Sequence, residues 1–253
     1  QSASLVGRVA LITGARVKIG YQAALLMLRA GAKVIVTTRF PRDAARRFAS
    51  ESDFESFAER LQIHGLDLRH APSVELFTRY LHNKLDRLDY LINNAAQTVR
   101  RPPGFYRHLM AYEQTPCDSL PDQLRHLLVD HESLCETLKL EMPAVHALTQ
   151  FTEAAANGPG IGIRESAALS LLPYSFADAN LGEEVFPLGQ LDADQQQIDL
   201  RKENSWRLTL AQVESPEMIE VQLVNAVAPF ILCSKLKPIM LRTENRDKHI
   251  VNV

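Results

Sequence analysis

The stretch Thr13-Gly14-Ala15-Arg16-Val17-Lys18-Ile19-Gly20 is where residue type and spacing point most directly to chemistry. An apolar run, Val9 to Ile12, leads into it, and a helical pattern, Tyr21 to Arg29, leads out. A buried strand that turns sharply into a helix leaves backbone N–H groups free at the helix N-terminus. With the helix dipole, these make an anion site, most often for a phosphate or pyrophosphate. Gly14 stands where the turn needs a permissive backbone, and Gly20 where helix and strand pack closely. Incidental glycines in an ordinary strand–turn–helix would look the same locally, so the surrounding elements must decide.

Those elements alternate. Val9–Ile12 reads as a first strand, Ile19–Arg29 as a helix with Gly31 at its C-terminal cap, and Lys33–Thr38 as a second, β-branched strand. A βαβ unit of this length fits a right-handed crossover. A charged helix is expected from Asp43 to about Arg60, a short third strand over Ile63–Leu68, and a helix capped by Ser73 running to about Leu85. A fourth strand, Leu88–Ile92, ends in Asn93-Asn94-Ala95-Ala96. The alternation predicts an α/β doubly wound parallel sheet.

The glycine loop, the later Asp67 and the Asn93-Asn94-Ala95-Ala96 run, in this order and at these spacings, resemble the short-chain dehydrogenase/reductase family over Arg8 to Ala96. The resemblance implies a Rossmann-type sheet that binds NAD(H) or NADP(H). It implies a cofactor-binding set of Thr13, Gly14, Arg16, Lys18, Ile19, Gly20, Thr38, Arg39, Asp67, Leu68, Asn93, Asn94 and Ala95. Within that set, Asp67 lies by the adenine, and Asn93 and its neighbours brace the fourth strand. Arg39 stands at the end of the second strand, where NAD-specific relatives place a carboxylate for the ribose hydroxyls. A guanidinium offers a planar fork to a 2′-phosphate, with Arg16 and Thr38 placed to assist, so NADP is expected over NAD. A basic, solvated helix start (Arg39, Arg42, Arg46, Arg47) is the plainer alternative. Lys18 replaces the family's middle glycine, either obstructing the pyrophosphate or neutralising it, and Ala96 replaces the glycine after Asn-Asn-Ala.

Further on, Ser215 and Pro216 open a helix, and Val224–Phe230 resembles the family's long central helix, with Asn225 in place of its catalytic asparagine. His249–Val253 resembles the start of the fifth strand. The expected organisation is residues 1–96 as the N-terminal dinucleotide-binding half, 97–213 as an insertion subdomain, and 214–253 as the return to the Rossmann core. The sheet is then incomplete at its C-terminal side and carries a mostly helical insertion. Apolar spacing predicts helices over Leu120–Leu140 and Ala144–Ala156, a loop around Asn157–Gly162, and a short strand at Trp206–Leu210. Phe151, Phe176 and Phe186 read as insertion core. The insertion itself reads as a lid or substrate pocket, or as a decorative or oligomer-contact subdomain.

The family's chemistry uses a serine after the fifth strand and a Tyr-x-x-x-Lys on the following helix, the tyrosine acting as acid/base. Neither has a counterpart after the fifth strand in these residues, so only Asn225 carries over, and the 253 residues alone are expected to be inactive. For the whole protein the resemblance implies hydride transfer between nicotinamide and a small carbonyl or alcohol substrate. A catalytically silent, NADP-binding scaffold or sensor is the alternative.

Other chemistries have less behind them. His126 and His131 are five apart, off the spacing that puts two ligands on one helix face, and no Cys/His cluster has zinc spacing, so no metal is expected. Asp192, Asp194 and Asp199 lack calcium-loop spacing and read as solvated. No Gly-x-Ser-x-Gly elbow supports a hydrolase. The net charge of −2 and apolar fraction of 46% describe an ordinary globular chain and favour neither nucleic-acid nor membrane partners. Three scattered cysteines and the lack of a membrane-length apolar run suggest a cytoplasmic setting. The family resemblance implies a homodimer or homotetramer.

Overall fold

The computed structural model describes residues 3–146, 158, 160–173 and 181–253. Five parallel strands, β1 (Val9–Thr13), β2 (Lys33–Thr38), β3 (Leu61–Gly65), β4 (Tyr90–Asn93) and β5 (His249–Asn252), form one sheet in the order β3-β2-β1-β4-β5. The order reverses between β1 and β4, which is the switch point where ligands bind beyond the strand C-termini. Val34, Ile35 and Val36 are fully buried, as a β-branched run in a sheet covered on both faces must be.

Helices α1 (Lys18–Arg29), α2 (Pro41–Ala49) and α3 (Ala71–Lys84) connect the first strands. The insertion supplies α4 (Pro103–Glu113) and α5 (Asp122–His146). The long helix α6 (Ser215–Met240) follows, interrupted by a π-turn at Leu223–Val227. Helix α6 is long and apolar enough, by length and composition, to cross a membrane, a property the linear sequence had not suggested. Its inward face, Ala228, Ile231, Leu232, Leu236 and Ile239, packs with Val74, Phe77 and Leu81 of α3 in one core cluster, as a layer helix of a doubly wound sheet does.

Several boundaries differ from the sequence expectation. The helix expected to reach Arg60 ends at Ala49, and two 3₁₀ turns follow. Ser50 and Ser56 donate to the carbonyls of Arg47 and Asp53, an alternative that serines offer to a continuing helix. Ser73 is not the α3 cap. His70 fills that place through Nδ1, which accepts from the Ser73 N–H, while the Ser73 hydroxyl accepts from the N–H of Gly162. Trp206–Leu210 is not a strand; Thr209 and Gln212 close a single 3₁₀ turn with a capping box. The expected helix over Ala144–Ala156 lies outside the described residues beyond His146, as do Phe151 and Phe176. Phe186 is buried with Phe40, Phe105 and Tyr106.

Helix α5 does not cover the strand ends. It runs along β3 at the sheet edge: Leu124, Leu127 and Leu128, with Leu120 just ahead of the helix, pack with Phe48, Phe57 and Ile63, and Leu134 and Leu138 pack with Leu66 and Phe77. His131 is buried there, its Nδ1 accepting from the Gly65 N–H at 3.3 Å. Neighbouring His64 is fully buried with no partner on either ring nitrogen, and burial pushes its pKa down to about 3.

Candidate dinucleotide site

The ends of β1 to β4 open into a cleft of about 790 Å³. It is lined by the glycine loop, the ends of β2 and β3, residues 94–99 after β4, and Arg101, Phe105, Tyr106 and parts of 192–206 from the insertion. Of the residues expected to hold cofactor, Gly14, Arg16, Lys18, Ile19, Thr38, Arg39, Asp67, Leu68, Asn94 and Ala95 line the cleft. Thr13, Gly20 and Asn93 stand behind it and build its wall. The Thr13 hydroxyl accepts from the Ala95 N–H at 3.0 Å. Asn93 reaches across to Asn252 of β5 at 2.8 Å. Gly14, at φ +66°, has the left-handed backbone the turn requires, and a Cβ there would sit 2.8 Å from Ala95 Cα.

The first turn of α1 contains no acidic residue, and its N-cap, Val17, supplies no side-chain cap. Its amide donors therefore suit an external anion. Lys18 also adopts a left-handed φ of +57°, as the glycine it replaces would. Its ammonium is exposed and 3.9 Å from Asp194. The chemistry of this donor set fits a dinucleotide pyrophosphate.

The cations differ in how far their charge is compensated. Arg16 is buried, 2.7 Å from Asp43, and also reaches Gln196 at 3.4 Å. Burial alone would raise the Asp43 pKa, but Arg16 and Arg47 reverse that and hold it at about 2. The Asp67 carboxylate is held by the Arg69 fork, with a closest approach of 2.6 Å, and Arg69 continues to Glu220 on α6 at 2.9 Å. Burial opposes the Asp67 charge, and Arg69 more than offsets it, leaving the pKa below the ordinary value. Asp199, expected to be solvated, is ion-paired with both Arg101 and Arg201. Arg39 projects from the end of β2 with two hydroxyl partners, Tyr106 at 2.7 Å and Ser170 at 3.2 Å.

Asn225 lies in the π-turn of α6 outside the cleft lining. Its amide bonds Gln97 in both directions, donating to the carbonyl at 2.9 Å and accepting from the N–H at 2.8 Å. It thus fixes the chain just after β4. π-turns recur at functional positions in helices. The sequence does contain one Tyr-x-x-x-Lys, Tyr80 to Lys84. It stands on α3, where both side chains engage Asp130 of α5, and neither lines the cleft.

Sequence reasoning missed Tyr106, Phe105, Arg101 and Trp206, whose place in the cleft depends on where the insertion docks. It also missed Arg69, two positions after Asp67, for which the local spacing was available.

A family profile described as short chain dehydrogenase matches residues 8–109. An uncharacterised protein of Acanthamoeba polyphaga mimivirus is 41% identical over 103 residues, covering 39% of this chain and 22% of that protein. Mouse retinol dehydrogenase 13 is 32% identical over 94 residues, covering 37% of this chain and 28% of that one. The match thus spans only about a quarter of the length of these relatives. A solved short-chain dehydrogenase from Streptomyces avermitilis superimposes with a TM-score of 0.31 at 23% identity, covering 58% of this chain and 45% of that one. The profile match falls on the strand–glycine loop–helix unit and on the four strands around the cleft, so residues 8–109 are similar in sequence to the short-chain dehydrogenase/reductase family.

Proposed function

We propose that the chain is the NADP-binding part of a short-chain oxidoreductase that transfers hydride between nicotinamide and a carbonyl or alcohol substrate. The observation that carries the cofactor choice is Arg39. It extends into the cleft from the end of β2, and among the described residues no carboxylate pairs with it. A carboxylate at this position would accept from ribose hydroxyls and repel a 2′-phosphate; the guanidinium reverses that preference.

In this reading the α1 N-terminus and Lys18 take the pyrophosphate, and Arg39 takes the 2′-phosphate. Leu68 and the wall around Asp67 border the adenine. Asn225, by clamping Gln97, keeps the floor of the substrate end fixed. The bound cofactor supplies the hydride. None of the described cleft residues is assigned the proton transfer, so the 253 residues as they stand bind cofactor without turnover.

Fluorescence titration with NADPH and NADH tests the cofactor assignment. NADPH should bind more tightly, and Arg39→Asp should abolish that preference. Equal affinities in the parent, or an unchanged preference in the variant, would overturn it. Turnover of a carbonyl substrate by these residues above a buffer control would overturn the claim of binding without catalysis.

A further inference from the structure

We infer that Tyr106 and Ser170, both supplied by the insertion, are positioning residues that hold Arg39 for the 2′-phosphate, so that the insertion sets cofactor selectivity. This rests on the Arg39 reading above and extends it to two residues that follow β4, Tyr106 near the end of the family-matched stretch and Ser170 beyond it.

The argument begins with a contrast among the arginines that line the cleft. Arg16 is paired with Asp43, Arg69 with Asp67 and Glu220, and Arg101 and Arg201 with Asp199. Among the described residues, the side-chain hydrogen bonds of Arg39 go to hydroxyls only: Nη2 donates to the Tyr106 oxygen at 2.7 Å and Nη1 to the Ser170 oxygen at 3.2 Å, while Asp67 feels its charge from beyond ion-pair distance and is itself paired with Arg69. A hydroxyl fixes a guanidinium without cancelling its charge, whereas a carboxylate does both. The Tyr106 ring also lies under the guanidinium, 4.5 Å from its carbon, and restricts its rotation by cation–π stacking.

The backbone is held as well. Ser166 donates to the Arg39 carbonyl at 2.9 Å, and the Phe40 N–H donates to the Thr38 hydroxyl at 3.1 Å. Of the five guanidinium N–H groups, two are used by these hydroxyls. The remaining three, Nε–H and one on each Nη, are left for a ligand. Arginine is rich in rotamers, and a side chain already held in its binding pose loses less freedom when a phosphate arrives. A nucleotide without the 2′-phosphate gains nothing from this arrangement, so the effect falls on selectivity.

The experiment compares dissociation constants for NADPH and NADH in the parent, in Tyr106→Phe combined with Ser170→Ala, in Arg39→Ala, and in the triple variant, with thermal midpoints recorded for each. Tyr106→Phe retains the ring and Ser170→Ala removes one oxygen, so both changes are mild. The expected result is a fall of about tenfold in the NADPH-over-NADH preference of the double variant, the scale of a hydrogen bond to a charged group, with NADH affinity unchanged. Arg39→Ala should lower the preference at least as far, and the triple variant no further, because the hydroxyls act through Arg39. Equal weakening of both cofactors would mean that the two hydroxyls are merely structural and would overturn the inference. If Arg39→Ala removes the preference and the double variant keeps it, the positioning role falls and the Arg39 reading stands. If Arg39→Ala leaves the preference intact, both fall.

Discussion

A Cβ on Gly20 would lie 2.3 Å from the side-chain nitrogen of Asn94. That nitrogen donates to the carbonyls of Thr13 and Gly14 at 3.0 and 3.1 Å, so one amide from the end of β4 holds the glycine loop from behind. The absent side chain at Gly20 is what admits it. Gly20→Ala should therefore push the amide off both carbonyls, with a cost of about 1–3 kcal/mol, the usual penalty for an inserted methyl in a packed site. Chemical denaturation checks the stability and NADPH titration the affinity, and both should fall. The same Cβ would lie 2.7 Å from the Gly14 carbonyl oxygen, so an alanine variant with parental stability would show that both Asn94 and the loop backbone have room to move.

Lys18 raises a separate question, because its φ of +57° is one that side chains adopt only with strain. Lys18→Gly should relieve that strain and stabilise the fold by about 1 kcal/mol. Lys18→Ala keeps the strain and removes only the ammonium. If the charge supports the pyrophosphate, Lys18→Ala binds NADPH more weakly than the parent, and the gap widens at low salt, where screening is least. Binding by Lys18→Ala or Lys18→Gly that equals or exceeds the parent's would mark the lysine as an obstruction.

What the sequence made legible is local. Gly14 and Gly20 bracket a turn whose strand and helix are contiguous, and the β-branched run of β2 announces a buried strand without reference to anything distant. The reading fails where charge meets charge across the fold. Arg16 looked like a free cation, yet Asp43, twenty-seven positions away, neutralises it. Tyr106 reaches Arg39 across sixty-seven positions, and no periodicity encodes that docking. The α5 helix was legible from its leucines, but its side was not, because an apolar stripe fits a sheet edge as readily as a cleft. Asp67 is a different failure: Arg69 was two residues away, and the ion pair was open to inspection.

Docking of α5 on β3 changes what cofactor should protect. Hydrogen exchange with and without NADPH should slow in the glycine loop, at the α4 start around Phe105 and Tyr106, and in residues 192–206, all of which border the cleft. Residues 122–138 of α5 should exchange at the same rate in both states, because they pack on β3 and α2. Cofactor-dependent protection spread along α5 would mean that the insertion closes as one flap.

His64 should make the protein acid-sensitive. Its folded pKa of about 3 lies below the ordinary 6.5, because burial disfavours the imidazolium and Lys84 adds to that. The neutral ring therefore stabilises the fold fully above pH 6.5, and that contribution is lost as pH falls from 6.5 towards 3, by up to about 5 kcal/mol. His131, also held down to about 3, steepens the same limb. His64→Leu should move the acid-unfolding midpoint to lower pH. An unchanged acid limb would mean that His64 finds a proton acceptor in solution.

Glu113 acts in the opposite sense. The carboxylate of this last α4 residue accepts the N–H groups of Asp43 at 2.7 Å and Arg42 at 3.1 Å, closing the N-terminus of α2 just beyond Arg39. The helix dipole and those donors favour its charge, but burial outweighs them and raises the pKa from 4.5 to about 7. The folded state thus holds the proton more tightly than the unfolded chain. The contribution is fully present below pH 4.5 and lost as pH rises through 7, about 3 kcal/mol across that window. Glu113→Gln keeps one acceptor for the helix and removes the titration, at a fixed cost of about 1 kcal/mol for the second hydrogen bond. The measurement is the difference in unfolding free energy between pH 5 and pH 8, taken for parent and variant, so that every other group cancels. The parent should lose about 2.5 kcal/mol more than the variant on going from pH 5 to pH 8. Parallel losses would show that the carboxylate stays ionised throughout and that its two backbone donors, not burial, set its state.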